Sequence, residues 1–410
     1  MALIRREQST RSADARPSRQ YQPIAEAAQK PTPSNPRWRI PWGVVAMLGT
    51  ILIVETFFAR NWLDFSDPVS LSWRFSAMAA KRDFTGVSFV CLGDSLMKHA
   101  LVPSIIEAET GRKSINLAAA KAPTVLTYFL LERVLAAGAR PDAVIINVKP
   151  SVLMGGVDYN ARYFEEILTP RELLELTEMT RRAGLMASVA AGQTLPSLRG
   201  RLEIRSNVMA AFQGQTDQLH EINRLLWRNW TVNEGANLAN TDSGFTGEVT
   251  ADAEKRLFPR KFHVDKANGE ALDRLLNLAA SRQIPVYWLL TPLAPELQAM
   301  RDQSGSEAAY DRLIRSCQDK HPGTLTVLDA RRAAYPPACF VDATHLNIRG
   351  AIALSRAFSR VMGRELEEPG DRSSPRWLSI TDAPDLDDPA IEVLENVEKS
   401  RKVIKTRASS

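Results

Sequence analysis

Gly93, Asp94, Ser95 and Leu96 directly follow an apolar run, Val87–Leu92. A serine at a strand-to-helix turn lifts its hydroxyl above the carboxyl edge of a sheet, where open α/β folds bind ligands. Its own N–H then lies near a helix start, where developing negative charge is stabilised. Gly93 permits a tight turn. Alone, the segment reads equally well as a capping serine after a strand. A second segment supplies what a serine nucleophile lacks. Residues 342–350 read Asp-Ala-Thr-His-Leu-Asn-Ile-Arg-Gly. His345 offers a base with a pKa near neutrality. Asp342 can accept from the other ring nitrogen, fixing its tautomer and stabilising its charge. Each residue by itself reads as a turn or cap. The three together suit nucleophilic acyl chemistry.

Other side chains add less. His99 falls one helical turn after Ser95 and can face the site, with a solvent-facing ring the preferred reading. His263 can line a cleft, and His220 and His321 read as surface residues. Trp227 and Trp230, in LLWRNW, can stack on sugar rings, but packing within their own segment is the preferred reading. Cys91, Cys317 and Cys339 contain no Cys-x-x-Cys pair. They read as small buried residues, with a Cys317–Cys339 disulfide the alternative. There is no glycine-rich phosphate loop and no metal-ligand cluster, so neither cofactor nor metal is expected.

The elements that must position these groups follow an α/β rhythm. Short buried strands are expected at 87–92, 114–118, 143–148, 285–290 and 324–328. Helices are expected at about 97–110, 123–137, 265–281, 310–320 and 348–362. Strands alternating with helices imply parallel βαβ units with both faces covered. Residues 151–262 break the rhythm and read as a mostly helical insertion. Helices at 172–191 and 202–212 precede a polar, flexible loop at 231–250.

With these blocks in place, the sequence resembles the SGNH/GDSL hydrolase superfamily over about residues 86–150 and 262–363. The resemblance rests on Gly93-Asp94-Ser95, on Asn116 in SINLA, and on Asp342, His345 and Asn347 before the last helix. It implies a three-layer α/β/α, flavodoxin-like fold, with Ser95 the nucleophile, His345 the base and Asp342 its orienter. It also implies an oxyanion hole. The Ser95 N–H is one donor, and the Ala118 N–H stands where the family has glycine. Asn116 is either a further donor or a structural residue of the turn. The family's third block, Gly-x-Asn-Asp, is replaced here by Asn147-Val148-Lys149-Pro150-Ser151. Ser151 is the expected stand-in for the missing asparagine, with Asn147 and Lys149 as alternatives.

Charge and hydropathy place this domain. The chain has 410 residues and a formal net charge of +5. Residues 1–40 hold eight Lys/Arg against three acids, which accounts for all of that charge. The basic character therefore belongs to an N-terminal arm, and a globular nucleic-acid surface is not expected. The arm, residues 1–39, is too polar to bury a core and should be disordered. Residues 40–59, IPWGVVAMLGTILIVETFFA, are long and apolar enough for a bilayer core of ~30 Å. Trp38, Trp42 and Trp62 bracket them as interfacial aromatics do. Lys30, Arg37 and Arg39 precede the span, so a cytoplasmic N-terminus and an extracytoplasmic, periplasmic domain are expected. Residues 60–85 read as a polar, partly helical stalk, 86–363 as the hydrolase-like domain, and 364–410 as a charged, disordered tail with one helix around 389–405.

The resemblance extends to membrane-anchored proteins of polysaccharide O-acetylation and teichoic-acid D-alanylation. It implies an inner-membrane serine O-acyl esterase or acyltransferase acting on a cell-surface glycan or other envelope ester. A multispan membrane partner would deliver the acyl group in the transferase case. The altered third block leaves an alternative, an inactive glycan-binding or assembly protein of the same fold.

Overall fold

The described residues form six strands: β1 (Val87–Gly93), β2 (Lys113–Asn116), β3 (Ala143–Asn147), β4 (Val286–Leu290), β5 (Leu325–Asp329) and β6 (Arg376–Ser379). They form one sheet in the order β2-β1-β3-β4-β5-β6. Every neighbouring pair is parallel. The computed structural model describes residues 41–214, 219–239, 245–249, 262–368, 370 and 374–395. Two units divide the chain, Met1–Gly49 and Thr50–Ser410, and the sheet lies in the second.

Side chains alternate across the sheet with a period of two. Val90, Leu92, Val144, Ile146 and Trp288 enter one core. Phe89, Cys91, Ile145, Tyr287 and Leu289 enter the other. Both faces being apolar, helices must cover both. In chain order the helices begin with α1 (Trp42–Arg60), long and apolar enough to cross a membrane. Next come α2 (Pro68–Ala79), α3 (Ser95–Lys98), α4 (Pro103–Thr110) and α5 (Thr124–Ala136). The insertion supplies α6 (Pro150–Met154), α7 (Ala161–Phe164), α8 (Pro170–Thr180), α9 (Ala183–Thr194), α10 (Pro196–Arg199), α11 (Arg201–Phe212) and α12 (Leu219–Val232). The alternation resumes with α13 (Lys266–Ser281), α14 (Pro295–Ser304), α15 (Ser306–Lys320), α16 (Ile348–Glu367) and α17 (Pro389–Glu395). Residues of α2, α5, α13 and α15 fill the first core. Residues of α3, α4, α14 and α16 fill the second, giving three layers.

Three expectations about organisation are corrected. Residues 60–85 are not a polar stalk. Asp67 caps α2 through Val69 and Ser70, with Pro68 at its first turn. Leu71, Trp73 and Phe75 are then buried in the first core, each contributing about 1.5–3 kcal/mol of apolar burial. Residues 364–410 are not simply a tail. β6 pairs with β5 from Thr326↔Arg376 to Asp329↔Ser379, and Glu365 holds Arg376 through two hydrogen bonds of 2.6 Å. The acid-rich composition of this stretch hid a four-residue strand. The loop expected at 231–250 is, over residues 233–239, packed against the sheet edge. Its residues 240–244 and 250 lie outside the described residues, as do the arm and most of the C-terminal helix expected at 389–405.

Smaller differences follow from local chemistry. The helix expected over 97–110 breaks into α3 and α4, because Pro103 starts a new first turn. The helix expected over 172–191 breaks at Arg181, which adopts a positive φ of 55°. Cys91, Cys317 and Cys339 are free and buried. Cys317 and Cys339 lie in different cores, so they do not pair.

Candidate active site

The site forms at the carboxyl edge, where β1 and β3 are neighbours. From β1 the chain passes to β2 on one side, and from β3 to β4 on the other. Such a switch of direction opens a crevice above the strand ends. Gly93 ends β1 opposite Asn147. Its φ is 143°, and a Cβ there would lie 2.2 Å from the Asn147 carbonyl oxygen. Only glycine fits this crossing. Asp94 follows, almost fully buried, and its Oδ1 accepts the Leu96 N–H at 2.8 Å to start α3. Ser95 is thereby the first helical residue. Among the described residues its N–H meets no acceptor.

The second half is a turn closed by the Phe340–Leu346 bridge. Asp342 Oδ1 accepts the N–H groups of Thr344 (2.7 Å) and His345 (2.9 Å). That leaves Oδ2 to face the imidazole, 2.8 Å from His345 Nδ1. With Nδ1–H donating to Asp342, Nε2 accepts the Ser95 hydroxyl at 2.8 Å. Asn347 then starts α16 by accepting from Arg349 and Gly350. Residues 250 apart in sequence thus form one continuous hydrogen-bonded chain. Partial desolvation works to raise the Asp342 carboxyl, but hydrogen bonding and charge from His345, with Thr344 adding, hold it well below the usual carboxylate range. The carboxylate therefore stays ionised and can stabilise an imidazolium. The Asp342 side chain is 55% exposed and that of His345 23%, so the site is open.

The expected oxyanion donors fare differently. Ala118 N–H donates to Asn116 Oδ1 at 3.1 Å, so it is already used within the protein. Asn116 Nδ2 donates to Met97 O and Leu101 O, both at 2.9 Å. Asn116 is fully buried and acts as the structural residue of its turn, tying β2 to the loop after α3. Ser151 lies in the first turn of α6, and no hydrogen bond joins it to Ser95 among the described residues. Asn147 Nδ2 is spent on Leu289 O at 2.7 Å. Lys149 Nζ stands 3.6 Å from Asp94 Oδ2. Of the expected donors, the Ser95 N–H and the Ser151 hydroxyl are left without a hydrogen-bond partner among the described residues.

Sequence reasoning missed a strap from the insertion. Gly235 has a φ of 100°, and a Cβ there would lie 1.7 Å from Asn116 O. Around it, Asn116 N–H donates to Glu234 O (2.9 Å), Asn237 N–H to Lys98 O (2.9 Å) and Ile348 N–H to Ala239 O (2.9 Å). Residues 234–239 therefore bind both the serine-bearing and the histidine-bearing blocks. Lys98, 6% exposed, donates its amine to Ala118 O (3.3 Å) and Gly235 O (3.4 Å). Burial pushes its pKa down to about 7. The one-turn spacing of Ser95 and His99 is the one sequence signal pointing here. His99 turns in rather than toward solvent, its ring centroid 5.1 Å from that of His345 and its Nε2 3.3 Å from Asn237 Nδ2. Burial first, then the neighbouring His345 and Lys98, push His99 down to about 3. It stays neutral and does not compete as a second imidazolium.

The remaining candidates lie elsewhere. His263 is exposed, and His220 is exposed and pairs with Asp64. His321 is buried, not on the surface. Trp227 and Trp230 stack on each other, but they pack on Phe75 of α2 and not solely within the insertion. Among the described residues no cluster suits a metal ion. Compared with known proteins, the sequence matches no family model and no curated protein.

Proposed function

We propose that this chain is a membrane-anchored serine O-acyl esterase or acyltransferase of SGNH type. Its substrate is an ester on a cell-surface glycan or similar envelope polymer, on the outer face of the cytoplasmic membrane. The single observation that carries the reading is the Ser95–His345–Asp342 chain, with both links at 2.8 Å. The strand order agrees with a flavodoxin-like doubly wound sheet extended by β6. The apolar α1 and the basic arm before it support a single-pass anchor with a cytoplasmic N-terminus. An open site admits an ester carried on a bulky polymer.

In this mechanism His345 Nε2 takes the Ser95 proton as Oγ attacks the ester carbonyl. Asp342 stabilises the imidazolium. The oxyanion forms beside the Ser95 N–H, and collapse expels the alcohol, protonated by His345. The acyl-serine is then attacked by water in an esterase, or by a sugar hydroxyl in a transferase, with His345 again the base. Neutral His99 limits the positive charge around the imidazolium. A second oxyanion donor is worth about 3–4 kcal/mol in the transition state. The engagement of Ala118 and Asn116 within the fold is the observation that favours the second reading, a glycan-binding or assembly protein. It equally suits an enzyme whose hole is completed by a multispan membrane partner.

Fluorophosphonate labelling of the full chain in detergent separates these readings. Labelling of wild type that vanishes in Ser95→Ala and His345→Ala is the expected result. Asp342→Asn should slow it by about 10³–10⁴-fold. A burst of p-nitrophenol from p-nitrophenyl acetate followed by slow turnover would mark a transferase. A folded wild type that never labels would sink the self-sufficient enzyme and leave the binding protein or the partner-completed hole.

A further inference from the structure

A cavity of about 410 Å³ lies beside the C-terminal end of α1, lined by Ala59 of that helix, Arg74, Lys81, Arg133, Glu166 and Arg199. Of the four cations there, Arg133 pairs with Glu172 and Arg199 with Glu166, which leaves Arg74 and Lys81 without an ion pair among the described residues. The surroundings are apolar. Leu52, Ile53 and Phe57 of α1 are 68%, 71% and 54% exposed. Glu55 on the same helix accepts the Ser197 N–H at 2.8 Å, docking α1 on α10. Leu195, Leu198, Leu202 and Met209 on α10, on α11 and at their edge are exposed as well. Apolar side chains among arginines are the pattern of an interfacial helix.

Two residues of the lining, Arg133 and Glu166, each carry a buried polar atom that lacks a hydrogen-bond partner among the described residues. Arg133 is 8% exposed. Its Nε donates to Glu172 (2.6 Å) and its Nη2 to Ile167 O (2.6 Å), yet Nη1 has no partner among the described residues. Glu166 Oε1 pairs with Arg199 Nε at 3.1 Å, while Oε2 is buried without a donor among the described residues. Orphaned groups of this kind are costly in a fold and call for a ligand or solvent. The missing partners are an anionic acceptor for Arg133 and a hydrogen-bond donor for Glu166. Arg74, held with its guanidinium 4.0 Å over the Trp62 ring, and Lys81 add positive charge at the rim.

We propose that this cavity binds the headgroup of an anionic, hydroxyl-bearing phospholipid. The phosphate meets Arg133, Arg74 and Lys81, and a headgroup hydroxyl donates to Glu166. Arginine suits the phosphate because its planar fork matches the oxygens. The acyl chains then run along the apolar α1, and the bound lipid fixes the domain's height above the bilayer. The site is separate from the Ser95 centre and does not depend on its chemistry.

The test uses the full chain in neutral detergent and isothermal titration calorimetry. The probes are dihexanoyl-phosphatidylglycerol, dihexanoyl-phosphatidylcholine and inorganic phosphate. Phosphatidylglycerol should bind at least about tenfold more tightly than phosphatidylcholine, which has no headgroup donor and no net charge. The double variant Arg74→Gln/Lys81→Gln should lose at least about tenfold of that affinity. Neither side chain has a hydrogen bond or ion pair among the described residues, so the fold should persist, as near-UV circular dichroism would show. Arg133→Gln would leave Glu172 buried without its partner and is not the variant of choice. Equal binding of the two lipids, or undiminished binding by a folded double variant, would overturn the proposal. Inorganic phosphate binding as tightly as the lipid would assign the cavity to a free phosphate and overturn the lipid source.

Discussion

At the scale of single residues, the site is defined by which hydrogen-bonding groups are already occupied. Ser95, His345 and Asp342 keep their reactive atoms for one another. Asn116 and Ala118 carry the right chemistry in the right block, but they satisfy each other and the backbone. A buried amide without an internal partner would be costly, so the fold uses them itself. Lys98 shows the same demand in charge. Buried, with two carbonyl oxygens as acceptors among the described residues, it has a pKa lowered to about 7. Between pH 7 and the unfolded value of about 10.4, the unfolded chain holds a proton that the folded one lacks. Raising pH through that window therefore stabilises the fold. Lys98→Met removes the titration. Urea unfolding at pH 7 and pH 9.5 should show wild type gaining on the variant, by on the order of 2–3 kcal/mol. A stability difference that does not change with pH would show that Lys98 stays charged.

At the scale of elements, two glycines hold the site by close approach. Gly93 brings β1 against Asn147 before the serine, and Gly235 brings the strap against Asn116. Gly235→Ala should cost about 1–3 kcal/mol from its positive φ alone, with the clash in addition. Because Asn237 and Ala239 hang from the same strap, the substitution should also slow Ser95 labelling. Melting and labelling measured together check this, and a variant that melts early but labels at the wild-type rate would free the strap from any role in the site. The sequence showed Gly93, because it adjoins a strand end and a serine. It did not show Gly235, since a polar Asn/Gly/Thr-rich stretch looks the same whether it is packed or free.

At the scale of the whole molecule, both ends of the second unit serve as structure. The segment before β1 buries Trp73 under the sheet, where Nε1 donates to Ala120 O at 2.7 Å. The segment after α16 adds β6, where Trp377 Nε1 donates to Asp329 at 3.0 Å and Ile380 is 1% exposed. Ending the chain after Glu368 would uncover the edge of β5 and an apolar strip beside it, which invites edge-to-edge association. Such a truncation should melt well below the full chain and aggregate in size-exclusion chromatography. Identical melting would return β6 to the status of an appendage. Trp377→Ala should give a smaller shift in the same direction.

The alternation of buried runs with amphipathic helices was legible in the sequence because both faces of a parallel sheet must be apolar. So were the basic arm and the apolar α1, whose signals are local sums of charge and hydropathy. The positions of Ser95, Asp342 and His345 could also be read, since each residue stands at a recognisable strand end or helix start. Tertiary structure alone decided which donors remain available around Ser95, because hydrogen-bond satisfaction depends on partners distant in sequence. It alone turned His99 inward beside His345, and it alone made residues 60–85 and 376–379 part of the domain. Burial of a short segment depends on the surface it meets, and composition does not record that surface.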